Sequence, residues 1–223
     1  MARSARTDIG NIPYHVLNRA VGRFKIFSTQ SDYFLFLDLL REAQKELDMR
    51  VLAYVLMPNH WHLALYPKLD GDLGLFMHKL TNAHTRKVHT LTRTIGTGPL
   101  YQGRYKSFLI QEDKHLLAVI KYIERNPVRA KLSKACEEYR WGSAWLRENG
   151  TDVQQKLLSE LPVEFPKNYI EWINEPDTAQ GLKILRTSVQ RGTPFGNDSW
   201  VDHMVKKHEL ESTIRQPGRP RKV

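Results

Sequence analysis

The sequence is short of cysteine, of acidic residues and of long apolar runs, and each shortage closes off a class of protein. A single cysteine, Cys136, excludes an internal disulfide framework and a cysteine-rich structural zinc site, and fits a reducing compartment. No apolar run approaches the length of about eighteen residues that a membrane helix needs. The N-terminal stretch MARSARTDIGNIPYHV is basic with no apolar segment, so no signal peptide is expected and the chain reads as cytoplasmic. Only 24 acidic residues stand against 34 Lys and Arg, a formal charge of +10 that points toward a polyanion such as nucleic acid. The deficit is also local. No Asp or Glu falls between Leu73 and Gln111, where Lys79, Arg86, Lys87, Arg93, Arg104 and Lys106 all lie. A solvated basic face is one reading of that stretch; phosphate-backbone binding is the favoured one.

What is present suffices for a core, since 41% of the 223 residues are hydrophobic. The run from Pro13 to Phe27 reads as a strand, or two strands around Gly22. Ser28 to Leu47 opens on capping candidates and continues with helical spacing at Phe34, Leu37, Leu40 and Leu47. Arg50 to Met57 and Trp61 to Tyr66 are strand runs joined by the turn signal Pro58-Asn59. Leu73 to about Thr94 reads as a helix, Leu100 to Ile110 as a strand, and Lys114 to Glu124 as a helix checked by Pro127. The order β-α-β-β-α-β-α predicts an α+β fold, an antiparallel sheet with helices packed on one side. Residues 1–150 form the expected principal domain. A mostly helical appendage follows over 151–213, with helices near Ala179 to Gln190 and Ser199 to Leu210. A basic tail closes the chain at 214–223.

The densest chemistry lies in LMPNHWHL, residues 56–63. Alternate side chains of a strand share a face, so His60 and His62 can hold one metal ion while Trp61 packs on the other side. Two imidazoles leave coordination positions open, as a catalytic ion requires. Paired histidines on a strand are also often plain packing or surface residues, and the pattern alone does not decide. On the helix at 114–126, Leu116, Val119, Ile120 and Ile123 share the core face, and Tyr122 and Asn126 lie at its edge. An edge position lets the core hold a tyrosine ring while its hydroxyl reaches a site, although a boundary tyrosine is the plain alternative. Lys121, Arg125 and Arg129 lie close in sequence and can favour a phenolate. Tyr101, Tyr105 and Phe108 are candidates for stacking on unpaired bases, with sheet packing favoured for Phe108.

Several stretches carry a resemblance: Tyr14-His15-Val16, LMPNHWHL (56–63), GPLYQGRYKSFLI (98–110), YIERNPVRAKL (122–132), YRWGSAW (139–145) and RQPGRPRK (215–222). In this order, over nearly the whole chain, they resemble the REP-associated tyrosine transposases, single-tyrosine members of the HUH endonuclease superfamily. The resemblance implies the ferredoxin-like HUH fold, with Mg²⁺ or Mn²⁺ held by His60, His62 and Asn126 and with Tyr122 as the nucleophile. It implies cleavage and rejoining of single-stranded DNA at palindromic hairpins through a 5′-phosphotyrosine, with no nucleotide cofactor and no membrane partner. The family's R-G-N after the first strand is here Arg19-Ala20-Val21. Arg19, Arg86, Lys87, Arg104, Lys106, Lys121, Arg125 and Arg129 are the expected DNA contacts. Arg219 and Arg221 join them in the AT-hook-like tail. A monomer or a homodimer, associated with the nucleoid, fits this reading. Its rivals are a relaxase or replication-initiator nickase, a DNA-binding regulator of the same fold without activity, and an RNA-binding domain. A third histidine beside the pair, or a lysine four residues after the tyrosine, would favour the relaxase; the chain has neither.

Overall fold

A computed structural model describes residues 7–215, so Arg219 and Arg221 lie outside the described residues. Its strands are β1 (Tyr14–Arg19), β2 (Arg50–Met57), β3 (His60–Tyr66) and β4 (Lys106–Leu109). They form one antiparallel sheet in the order β2-β3-β1-β4. The helices are α1 (Gln30–Leu47), α2 (Asp72–Thr92), α3 (Lys114–Glu124), α4 (Asn126–Arg129), α5 (Ser143–Asn149), α6 (Asp152–Gln155), α7 (Tyr169–Asn174), α8 (Ala179–Arg191), α9 (Asp198–Lys207) and α10 (Glu211–Ile214). The α+β class and the β-α-β-β-α-β-α order are as expected. Among the described residues no helix is long and apolar enough to cross a membrane.

The helices do not keep to one side of the sheet. On one face Val16, Tyr54, Leu56, Trp61, Leu63 and Leu65 pack with Phe36 and Leu40 of α1 and Phe76 of α2. On the other, Ala53, Val55, Ala64 and Phe108 meet Leu116, Val119, Ile120 and Ile123 of α3. The cause is legible in β2, where the unbroken apolar run Val51–Met57 is buried throughout. Such a run marks a strand covered on both faces, whereas a one-sided sheet alternates apolar with polar. A bulge between Val51 and Ala53 adds to this, because it interrupts the alternation and puts both Leu52 and Ala53 in the α3-side core.

Two expected strands are shorter than their apolar runs suggested. β1 stops at Arg19, and a 3-10 turn over Val21–Arg23 follows, with Gly22 at φ 57° where a side chain would be strained. The run from Leu100 pairs as a strand only from Lys106, Tyr101 making an isolated bridge to Ala20. The C-terminal segment shares both cores: Leu185 of α8 is buried on the α3 side and Met204 of α9 on the α1 side. Phe195, after α8, extends the sheet edge, its N–H donating to Leu109 O at 2.8 Å and its carbonyl accepting from Gln111 N at 2.9 Å.

Candidate active site

The β2–β3 hairpin turns at Pro58-Asn59, and this turn sets the first histidine. His60 and His62 point from β3 toward α3, and Trp61 points the opposite way into the α1–α2 core, as strand alternation requires. The imidazole rings of His60 and His62 are 5.2 Å apart, edge to face. His60 Nδ1 lies 2.6 Å from Asn59 Oδ1, while Asn59 Nδ2 donates to Arg23 O at 3.2 Å. The second bond identifies the atom facing His60 as the carboxamide oxygen, which only accepts. His60 Nδ1 therefore carries the proton, and its Nε2 keeps a lone pair. Burial first, then the Arg19 charge, lowers the His60 pKa to about 4, so the ring is neutral at ordinary pH. His62 is likewise held well below the usual histidine range, by burial above all and then by His15, His60 and Arg129.

A third histidine, His15 on β1, completes the group. It is fully buried. Its Nε2 is 2.8 Å from His62 Nδ1, and the two rings stack at 5.0 Å. For His62 to offer Nε2 to a cation its Nδ1–H must donate to His15 Nε2, the outer-shell bond that orients metal-binding imidazoles elsewhere. The sequence reading gave His15 no role of its own. Its signal is the antiparallel register, which sets His15 beside Ala64 and Leu17 beside His62 and so turns His15 to the same face. One sequence does not disclose that register.

Tyr122 reaches this cluster from α3. Asp113 caps the helix by accepting from His115 N at 2.8 Å, and the apolar side seats it on the sheet. The Tyr122 ring lies 6.1 Å from both His15 and His62, edge-on to each. It is 8% exposed, so the core grips the ring as an edge position predicts. The Arg129 guanidinium covers the ring at 4.3 Å and donates to the Tyr122 carbonyl. A polar hub two residues on fixes the helix's rotation. Buried Glu124 accepts from Ser143 Oγ at 2.5 Å and Tyr169 OH at 2.7 Å, and pairs with Arg147 at 3.5 Å. Ser143 in turn accepts from Tyr54 N at 3.0 Å, tying α3 to β2. This explains the YRWGSAW stretch, whose Trp141 carbonyl accepts from Leu56 N and whose Tyr139 hydroxyl donates to Leu56 O.

The remaining expected residues divide. Arg19, Arg104 and Lys106 line, together with Tyr122, one groove of about 870 Å³. Arg86 and Lys87 are exposed on α2, across the sheet from the histidines, and do not meet this group. Lys121, Arg125 and Arg129, expected among the DNA contacts, have internal acidic partners, two carboxylates among three cations. Lys121 pairs with Glu175 at 3.7 Å and lies over the Trp172 ring, while Arg125 and Arg129 share Asp177 at 3.3 and 3.1 Å. Asn126 uses its amide nitrogen on the end of α3, donating to Tyr122 O at 3.0 Å and Ile123 O at 3.2 Å. Only its Oδ1 is left as a donor to a cation. Among the described residues no group of three or more His, Cys, Asp or Glu could hold a metal ion. The fit to a divalent cation therefore rests on two neutral imidazoles with orienting partners, which suits an ion that keeps water and substrate oxygens.

A family model described as "Transposase IS200 like" matches residues 8–126. No curated protein matches the chain. Among solved structures, that of a REP-associated tyrosine transposase bound to a REP hairpin is similar. Its TM-score is 0.56 at 17% identity, over 80% of this chain and 96% of that one. A putative transposase from Deinococcus radiodurans R1 overlaps 59% of this chain and 92% of its own, at 16% identity and TM-score 0.40.

Proposed function

This chain belongs to the IS200-like transposase family, and within it we propose a DNA strand transferase that cuts and rejoins single-stranded DNA beside hairpins through Tyr122. The observation that carries this reading is the convergence of Tyr122 with His60 and His62 on one face of the sheet, the Tyr122 and His62 rings 6.1 Å apart. The hairpin-bound relative supports the substrate class, and the cationic groove beside Tyr122 supports an anionic strand.

Tyr122 Oη attacks the phosphorus of a phosphodiester. A bond from phosphorus to Tyr122 forms and the bond to the 3′ oxygen breaks, the phenol releasing its proton to water and the leaving 3′ oxygen taking one up from water. The products are a 5′-phosphotyrosine and a strand ending in a 3′-hydroxyl. The covalent link preserves the phosphodiester's energy, so a second 3′-hydroxyl can reverse the step without a nucleotide cofactor. Arg129, over the ring and bonded to the Tyr122 carbonyl, holds the phenol's approach. Arg19, Arg104 and Lys106 hold the strand's phosphates in the groove. A divalent ion, Mg²⁺ or Mn²⁺, held by His60, His62 and Asn126 would supply neutralisation of the scissile phosphate's charge.

The test is a covalent adduct between the protein and labelled hairpin DNA with an unpaired tail, resolved on a denaturing gel with Mg²⁺ or Mn²⁺ present. The adduct is expected in the wild type and absent from Tyr122→Phe. An adduct that survives Tyr122→Phe, or that never forms across a panel of tail sequences, rejects the assignment.

A further inference from the structure

The groove that holds Tyr122 has a second wall, built by a part of the chain outside the residues matched by the family model. We propose that the C-terminal end of α8, through Arg186, Gln190 and Arg191, is a binding site for the sugar-phosphate backbone of the unpaired strand leading to Tyr122. This rests on the single-stranded DNA reading above and names a further contact within it.

Three observations carry the proposal. The first is placement. Arg186, Gln190 and Arg191 line the same groove as Arg19, Arg104, Lys106 and Tyr122. The tyrosine thus has cations of the sheet edge and cations of α8 about it.

The second is charge. The groove's lining includes five Lys or Arg and no Asp or Glu. Among the described residues none of Arg19, Arg104, Lys106, Arg186 and Arg191 forms an ion pair. Lys121, Arg125 and Arg129 differ, since those three form ion pairs with Glu175 and Asp177. Unpaired guanidinium groups facing one another across an acid-free cleft repel, a cost that an anionic occupant removes. The C-terminal end of a helix carries a partial negative charge, so an anion is held there only by side-chain cations. Arg186 and Arg191 supply them.

The third is rigidity. Leu185, 4% exposed, anchors α8 in the α3-side core, and Phe195 hydrogen-bonds along the edge of β4. Between them Gly192 ends the helix at φ 78°, and a Cβ there would lie 3.4 Å from Ser107 O. A residue with a side chain would be strained at that φ, while its Cβ would just touch β4. The arginines are thus presented at a fixed distance from the sheet edge. The occupant is an unpaired strand because the phosphate must reach a phenol that lines the groove, and because Tyr105 lines the groove where a base could stack only if unpaired.

The experiment uses the full chain and two fluorescent hairpins, one blunt and one with an unpaired tail, with affinity measured by anisotropy over a range of salt. Wild type should bind the tailed hairpin more tightly. The double variant Arg186→Ala/Arg191→Ala should lose about tenfold on the tailed hairpin at low salt. Its slope of log affinity against log salt should fall by about 1.4, the value for two single-strand phosphates. Blunt-hairpin binding should not change. Arg186→Lys/Arg191→Lys should recover most of the loss. Gln190→Glu, exposed and outside the core, should weaken tailed binding selectively by placing an acid in the groove. An unchanged affinity and slope for the tailed hairpin, or an equal loss on both hairpins, overturns the proposal, as does a wild type indifferent to the tail. The adduct assay separates the two readings. If wild type forms the Tyr122 adduct while α8 variants bind tails normally, only the α8 site fails. If no adduct forms, the strand-transfer reading fails first.

Discussion

Mild acid should destabilise this protein, and His84 provides the measure. This α2 residue is fully buried on the sheet face away from the active site, stacked on Phe27 at 5.6 Å and edge-on to Phe36 at 5.0 Å. Its Nδ1 is 2.7 Å from the Tyr101 hydroxyl, which also accepts from Trp61 Nε1 at 3.0 Å, and among the described residues its Nε2 has no partner. Burial lowers its pKa to about 4, opposed by the Asp32 charge. In the unfolded chain a histidine titrates near 6.5. Below about pH 6.5 the unfolded chain therefore takes up a proton that the folded chain refuses until about pH 4, and stability falls as pH falls through that window. At pH 5, about 1.5 units into it, the loss is about 2 kcal/mol. His15, which burial holds at about 3, loses a similar amount by the same pH. Together they remove about 4 kcal/mol from a total that for most domains is about 5–15 kcal/mol. Urea unfolding followed by tryptophan fluorescence at pH 7, 6 and 5 should show the decline in wild type. His84→Gln, which does not titrate, should start lower yet lose about 2 kcal/mol less across the interval. Parallel pH dependence in the two proteins would refute the reasoning.

Three further outcomes follow from the site. His15→Phe, which removes the acceptor for His62 Nδ1–H, should weaken Mn²⁺ binding by about 10- to 100-fold in calorimetric titration while leaving hairpin affinity intact. Glu124→Ala strands the Arg147 charge and frees the rotation of α3. It should destabilise the fold by about 3–5 kcal/mol in denaturant titration, with Glu124→Gln costing less. Chelation of divalent ions, or His60→Ala, should abolish the adduct on a denaturing gel while retaining hairpin binding in a mobility-shift assay.

Much of this was legible in the sequence because the local signals agree with one another. The octapeptide 56–63 gave a hairpin and two same-side histidines, since strand alternation is a local rule that no packing partner overrides. The limits of α3 followed from apolar spacing with Pro127 as a stop. What was not legible depends on contacts between distant segments. Whether Lys121, Arg125 and Arg129 face DNA depends on Glu175 and Asp177, about fifty residues downstream, coming back to meet them. The role of His15 depends on strand register, and the second wall of the groove depends on where α8 docks. Placing the helices on one side overlooked that an unbroken apolar strand needs cover on both faces.

The Glu124 hub joins the helix bearing Tyr122 to β2, the strand paired with the one bearing His60 and His62, all within a single polypeptide. On the proposed reading, Tyr122 and the histidines beside it are drawn from one polypeptide. Adduct yield per molecule should therefore be indifferent to dilution at saturating DNA.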